Sequence, residues 1–354
     1  MAGPQGPAIF FCNGAVAVAG RKRKARELRV SETGGEWKAF WADGADGRTR
    51  AATSPELRTF WADLFARSFD GRTQARMLDI ATGPGILIEH ALAYAADQDD
   101  RFALHAVGSD LSEHAGAKTL RSSDEGRVNF VVADAAQPPF PESTFDLVAS
   151  QFGVEYAGLD AVMAAAGHLA PGGRLALVMH LAGGDIEDYC RACADLLGQV
   201  KTTGVFACAY ALLDQARDVL DGKEHDRDRA QALEQEFVAA RDQLLRSMHA
   251  ASQEAMAVTP FLARMLNDLN QLCARRYAYA PPDALNWVQH QEREVEVYRR
   301  RMQSMLEAAQ TPEDLGALQT RLEASGFESV RYDKVVSASH GNAFAWRLEA
   351  VRAG

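Results

Sequence analysis

The chain has 354 residues, 38 Lys+Arg against 48 Asp+Glu, and a formal net charge of −10. Hydrophobic residues make up 47% and charged residues 24%, an ordinary globular composition that excludes collagen-like and disordered classes. No run approaches 18 apolar residues, so no membrane span is expected. The acidic balance opposes sequence-independent binding to nucleic acid, and five cysteines (Cys12, Cys190, Cys193, Cys208, Cys273) make no disulfide scaffold and point to a reducing, cytoplasmic compartment.

Ala8–Gly20 is apolar, but the basic run Arg21-Lys22-Arg23-Lys24 follows it, the reverse of a secretory signal. Residues 1–35 are read as a disordered tail. Trp37, Phe40 and Trp41 fit one face of a short helix, and Ser54-Pro55-Glu56 opens a second, with Ser54 as N-cap and Pro55 at the first helical position. Leu57, Phe60, Trp61, Leu64 and Phe65 recur there at helical spacing. Residues 36–75 thus form N-terminal helices expected to cap the core.

From residue 76 strands and helices alternate. Strands are expected at 76–81, 102–109, 128–133, 145–150 and 173–179, with helices at about 86–96, 112–121, 159–169 and 185–198. This alternation implies right-handed crossovers and a parallel sheet covered on both faces. The core occupies 76–184. Residues 185–312 lose the strand signal and read as an all-helical insertion, with stripes such as Leu233, Phe237, Leu244 and Met248. Those stripes are helix-packing surface, with homodimerisation as their alternative use. Residues 313–354 read as a helix ended by Gly326 and an antiparallel hairpin, 327–336 and 343–351.

The strongest local signal is Leu78-Asp79-Ile80-Ala81-Thr82-Gly83-Pro84-Gly85, between an expected strand and helix. Glycines let the backbone turn sharply and let a ligand approach closely, and the helix that follows presents free N–H groups. Alone, such a loop serves NAD, FAD or nothing. Asp110 ends the second strand, placed to take both ribose hydroxyls of an adenosine. Asp134 ends the third, placed to accept from a purine's exocyclic amine. A nicotinamide enzyme would want a third glycine three residues after Gly85, where Ile88 stands.

With these segments together, LDIATGPG, VGSDLS, VVADAAQPPFPESTFDLVASQFG and LAPGGRLALVMH, the sequence resembles the class I S-adenosylmethionine (SAM)-dependent methyltransferases. The resemblance covers about 76–180 and 313–352, and within the family it looks most like the broad group that includes quinone-biosynthesis methyltransferases. It implies a Rossmann-like α/β sheet of seven mostly parallel strands closed by the C-terminal antiparallel hairpin, and SAM as cofactor. By position, Gly83 and Gly85 would contact the methionine part of SAM and Asp79 would orient its amino group. Asp110 with Leu111 would hold the ribose, Asp134 and Ala135 would flank the adenine, and Ser150 and Gln151, after the fourth strand, would line the methyl-donor end. Ala81 replaces the family's first glycine and is expected to fit with a negative φ.

Transfer to an O or N acceptor also calls for a proton acceptor, and His180, Tyr156 and Glu155 are the catalytic candidates. Cys190-x-x-Cys193 has no second such pair and lies on an expected helix, so no metal is expected. The expected activity is methyl transfer to a small-molecule acceptor, with the insertion capping the pocket. The alternatives are a nicotinamide-dependent oxidoreductase and a non-catalytic scaffold that uses its helical insertion for partners.

Overall fold

The computed structural model describes residues 37, 52–98, 102–113, 116, 127–223 and 226–354. The expected tail, its basic run, most of the first aromatic helix and most of the helix at 112–121 lie outside the described residues. The described chain divides into two compact units, one holding residues up to Glu187 together with Ser304–Gly354, the other Asp188–Gln303.

In the first unit, α1 (Pro55–Phe69) starts at Ser54, whose side chain accepts from the Leu57 N–H, with Pro55 in the first turn. There follow β1 (Gln74–Ile80), α2 (Ile86–Ala96), β2 (Ala103–Asp110), β3 (Val128–Val132) and β4 (Phe145–Gln151). A 3-10 turn (Val154–Ala157), α3 (Leu159–Ala166) and β5 (Leu169–His180) come next. The chain passes into the second unit within α4 (Asp185–Thr203) and returns within α8 (Pro281–Ala308), to finish as α9 (Pro312–Ala324), β6 (Phe327–Val336) and β7 (Ala343–Arg352).

The seven strands form one sheet in the order β3-β2-β1-β4-β5-β7-β6. All pairs from β3 to β5 are parallel, and β7 runs antiparallel to both β5 and β6. This is the mostly parallel, hairpin-closed sheet expected from the sequence. Its strand order reverses between β1 and β4, and a ligand crevice in such a sheet lies outside the carboxyl ends of the strands at that point.

Helices cover both faces because side chains alternate along each strand. Leu78 and Ile80 of β1 pack with Ala161, Val162 and Ala165 of α3 and with Leu315, Leu318 and Leu322 of α9. On the opposite face Ala106 of β2, in register with Met77, packs with Ile88 and Leu92 of α2 and Val128 of β3. Aromatic contacts Trp61–Phe65, Phe65–Phe69 and Phe69–Phe102 link α1 to the start of β2. β5 begins at Leu169, four residues earlier than the expected 173, because Leu169 already pairs with Phe145 before a register shift restores regular pairing at Leu147–Arg174.

The second unit is helical among its described residues, with α5 (Val205–Leu220), α6 (Arg227–His249) and α7 (Thr259–Ala274) between the two shared helices. Its buried residues include Leu212, Phe237, Leu244, Leu262 and Leu269. Cys190 and Cys193 are buried and form no disulfide, and burial pushes the Cys193 thiol up to about 12, which keeps it unreactive. Among the described residues no group of His, Cys, Asp or Glu converges as a metal site. One stretch of α4–α5 is long and apolar enough to cross a membrane by length and composition, but half of it is buried inside the protein. Gly204, with φ 71°, also breaks the helix there.

Candidate functional site

The loop after β1 is tied to the neighbouring strand ends on both sides. The Thr82 N–H donates to the Ser109 carbonyl (3.0 Å) and the Gly83 N–H to Asp110 Oδ2 (2.9 Å). On the other side the Ser150 hydroxyl donates to the Ile80 carbonyl (2.7 Å) and accepts from the Val154 N–H (3.0 Å). Gly83 (φ 51°) and Gly85 (φ 83°) take left-handed conformations, and Gly85 caps α2 with no side chain over the helix N–H groups.

Ala81 also has a positive φ, 53°, which corrects the negative value expected for it. The left-handed region costs an alanine roughly 1–2 kcal/mol, so the surroundings must hold it there. They do so at Gly153, where an added Cβ would lie 2.6 Å from Ala81 Cβ and 2.8 Å from its carbonyl oxygen. The β1 loop and the chain leaving β4 therefore approach at a place where only one of the two residues has a side chain.

Three acids stand at or beside the carboxyl ends of the first three strands. Asp79 is 2% exposed. Thr82 Oγ1 donates to it at 2.5 Å, and burial pushes its carboxyl up to about 7. Asp110 accepts one backbone N–H on each oxygen, from Gly83 and from Ser112 (2.9 Å each). Burial raises its pKa, against the pull of those N–H groups. Asp134, just past β3, accepts from the Ala136 N–H at 2.9 Å, and it and Ala135 are half-buried. Leu111 is exposed.

These groups suit an adenosyl amino acid. Each Asp110 oxygen has a lone pair beyond its N–H bond, which matches a vicinal diol. Asp79 is a buried acid whose charged form a cationic amine would stabilise. Two left-handed glycines let backbone N–H groups face the ligand without a Cβ between.

On the far side of the crevice, β4 extends through Gln151, so Ser150 and Gln151 end the strand instead of following it. The Ser150 hydroxyl is engaged with backbone on both sides, as above. Gln151 accepts from Trp61 Nε1 (2.6 Å) and donates to the Ala52 carbonyl (3.0 Å), so the amide anchors α1. Phe152 follows with φ 55°, and its ring lies 4.7 Å from that of His180.

His180 ends β5, and Glu155 sits in the 3-10 turn. Both are buried, and one carboxylate oxygen, Glu155 Oε1, lies 2.8 Å from His180 Nδ1 and 3.0 Å from the His180 N–H. The Tyr156 ring meets His180 edge-on at 5.6 Å and Trp37 at 5.3 Å. The structure thus brings the three candidates His180, Glu155 and Tyr156 together. Thr82, Phe152 and Gly153 are not evident as site residues from the sequence, although all three stand inside the motif segments LDIATGPG and VVADAAQPPFPESTFDLVASQFG; the spacing Asp79-x-x-Thr82 is the available signal.

A family model described as a methyltransferase domain matches residues 77–173. The chain is 30% identical over 183 residues to a demethylmenaquinone methyltransferase of Clavibacter sepedonicus, covering 48% of this chain and 69% of that one. It is 30% identical over 140 residues to a 27-O-demethylrifamycin SV methyltransferase of Amycolatopsis mediterranei, covering 39% of this chain and 48% of that one. The chain spans about half the length of this rifamycin methyltransferase and of one ubiquinone/menaquinone C-methyltransferase. Among solved structures, a 1,6-didemethyltoxoflavin-N1-methyltransferase of Burkholderia thailandensis with bound substrate and S-adenosylhomocysteine (SAH) aligns over 96% of this chain and 95% of its own. The identity is 13% and the TM-score 0.46.

Proposed function

Because this chain belongs to the class I SAM-dependent methyltransferase family, we propose that it transfers a methyl group from SAM to a small-molecule acceptor. Asp110 carries the proposal. A half-buried carboxylate at the end of β2, holding one backbone N–H on each oxygen, is built to receive two further donors in one plane, as a ribose diol offers.

When bound, SAM would supply a sulfonium-borne methyl open to in-line attack by the acceptor's nucleophilic atom, with SAH as the leaving group. The chain's residues divide the remaining work. Gly83 and Gly85 would admit the amino-acid end, Asp79 would face its ammonium, Asp110 with Leu111 would hold the ribose, and Asp134 with Ala135 would flank the base. Ser150 braces the loop from β4, and Gln151 fixes α1 against the same strand end. Holding the acceptor close to the methyl in a dry site contributes most of the acceleration. The dinucleotide alternative is disfavoured by Ile88, which is fully buried where that fold wants a glycine for close helix packing.

Isothermal titration of the full chain with SAH and with NADH tests this reading. Heat with SAH and none with NADH is expected, since only a true site gives saturable binding. The reverse pattern overturns it, and SAH binding with no transfer to any acceptor leaves a non-catalytic SAM-binding protein.

A further inference from the structure

We propose that Glu155 is a positioning residue that fixes His180 with its proton on Nδ1, leaving Nε2 to take the proton of a hydroxyl acceptor, a phenol or an enol. The inference rests on the methyltransferase reading and deepens it by naming the acceptor's chemistry.

The tautomer follows from one oxygen. Glu155 Oε1 receives the backbone N–H of His180 at 3.0 Å, a group that can only donate. The same oxygen lies 2.8 Å from His180 Nδ1, and a carboxylate oxygen facing a ring nitrogen requires the nitrogen to carry the hydrogen. Nδ1–H fixes Nε2 as the basic nitrogen. Phe152 at 4.7 Å and Tyr156 at 5.6 Å flank the ring. Phe152, which makes one of those contacts, stands at φ 55°, and a left-handed non-glycine residue is a kind of backbone strain that clusters at functional sites.

The electrostatics point the same way. Glu155 is fully buried, and among the described residues its second oxygen, Oε2, has no hydrogen-bond partner. A buried carboxylate with one unpaired oxygen is stabilised by any positive charge that appears beside it. Proton uptake at Nε2 makes the adjacent ring cationic and turns the two groups into an ion pair. Among the described residues, the titratable side chains that meet the ring are Glu155 and Tyr156, both from the 3-10 turn. Phe152 from the β4 end, and Ala345 of β7 and Gln310, which flank His180 through the backbone, carry none.

The acceptor class follows from what such a base is needed for. An amine already neutral at the working pH attacks with its own lone pair and loses its proton afterwards, so it needs no braced imidazole in order to attack. A hydroxyl with pKa above the working pH must lose its proton as it attacks. In the step assigned here the acceptor oxygen forms the new O–CH3 bond with its own electron pair. The S–CH3 bond pair stays on sulfur, giving neutral SAH, and the O–H proton passes to Nε2 and then to water.

Side-chain 15N NMR of the full-length protein tests the tautomer with no ligand present, the His180 signal being identified by its loss in His180→Gln. A proton on Nδ1 and a bare Nε2 at pH 8 are expected. A ring protonated on both nitrogens at pH 8, or a proton on Nε2 with Nδ1 bare, overturns the proposal. Transfer from SAM is then measured at pH 8 to phenol, whose hydroxyl keeps its proton, and to 4-nitrophenol, which is largely ionised. His180→Gln should lose about 10²–10⁴-fold in kcat toward phenol and far less toward 4-nitrophenol. Glu155→Gln should lower kcat more than it raises KM and displace the acid limb of the pH profile, which loss of packing alone would not do. Equal losses toward both phenols overturn the base role. A wild type that binds SAH and methylates neither phenol overturns the hydroxyl assignment, whereas one that binds no SAH overturns the methyltransferase reading itself.

Discussion

Ala81 and Gly153 share one space, and only one of them has a Cβ in it. Ala81 stands at φ 53°, and a Cβ on Gly153 would lie 2.6 Å from its methyl and 2.8 Å from its carbonyl oxygen. The strain at one residue and the missing side chain at the other are parts of one contact between the β1 loop and the end of β4.

Gly153→Ala should therefore destabilise the protein by about 1–3 kcal/mol, the usual cost of overpacking. Ala81→Gly relieves the left-handed alanine, offset by the entropy of an added glycine, and should leave stability within about 1 kcal/mol of the parent. The double variant should recover part of the loss but not all, because the Ala81 carbonyl remains at 2.8 Å. Urea denaturation of the four proteins measures the coupling; simple additivity would show that the two residues do not share the strain.

Asp110→Ala should weaken SAH binding by roughly 1–3 kcal/mol, the loss expected when a charged acceptor of two hydroxyls is removed. The Gly83 and Ser112 N–H groups also lose their partner, so the β1 loop should loosen while the sheet, to which the carboxylate adds no core, stays folded. Titration calorimetry with circular dichroism on the same sample reads both. An unchanged dissociation constant in a folded variant would reduce Asp110 to a brace for the loop.

Glu349 of β7 is a further test of the fold's edge. Burial pushes its carboxyl up, yet hydrogen bonds and charge from Arg67 (2.8 Å) and Arg331 (3.2 Å) outweigh that and lower its pKa below 4.5. A lowered folded pKa adds stability that is complete above the unfolded value and fades as pH falls through the folded one. Glu349→Ala should cost roughly 1.5–3 kcal/mol at pH 7, the range for hydrogen bonds to charged groups, and the gap to the parent should narrow below about pH 4. A pH-independent gap would assign the loss to packing.

The sheet was legible because its strands are buried on both faces. Leu175-Ala176-Leu177-Val178 is apolar without a break and lies wholly buried, and Gly85 before Ile86 marks the start of α2 where periodicity puts it. The order of strand-end acids was legible for the same reason, since a strand ends where its apolar run ends. Local conformation set by tertiary contact was not. Nothing in the spacing of Ala81 announces a positive φ, because the cause, Gly153, lies 72 positions away. The strand start at Leu169 was hidden by Pro171-Gly172-Gly173, which reads as a turn and is carried instead as a register shift within the pairing. The hydroxyl of Ser150 shows the same limit: its place at the end of β4 is in the sequence, while its engagement with Ile80 and Val154 depends on how the β1 loop folds back.

Asp79 gives the pH prediction with the clearest sign. Burial raises its pKa from 3.8 to about 7 in the folded protein. Between those values the folded state holds a proton that the unfolded state has lost, so stability falls as pH rises through that window and levels off above about 7. Three units correspond to about 4 kcal/mol at most, and Asp79→Asn should flatten the slope between pH 4 and 7. Ligand binding should run the other way. An ammonium beside Asp79 favours the carboxylate, so SAM binding at pH 6 should release a proton and tighten as pH rises toward 8. Calorimetry at pH 6 in buffers of different ionisation enthalpy counts that proton, and Asp79→Asn, which keeps Asp110, should remove its release. Proton release that persists in the variant would transfer the titration to Asp110, whose pKa burial also raises, and binding enthalpies independent of buffer would show that the amine does not reach Asp79.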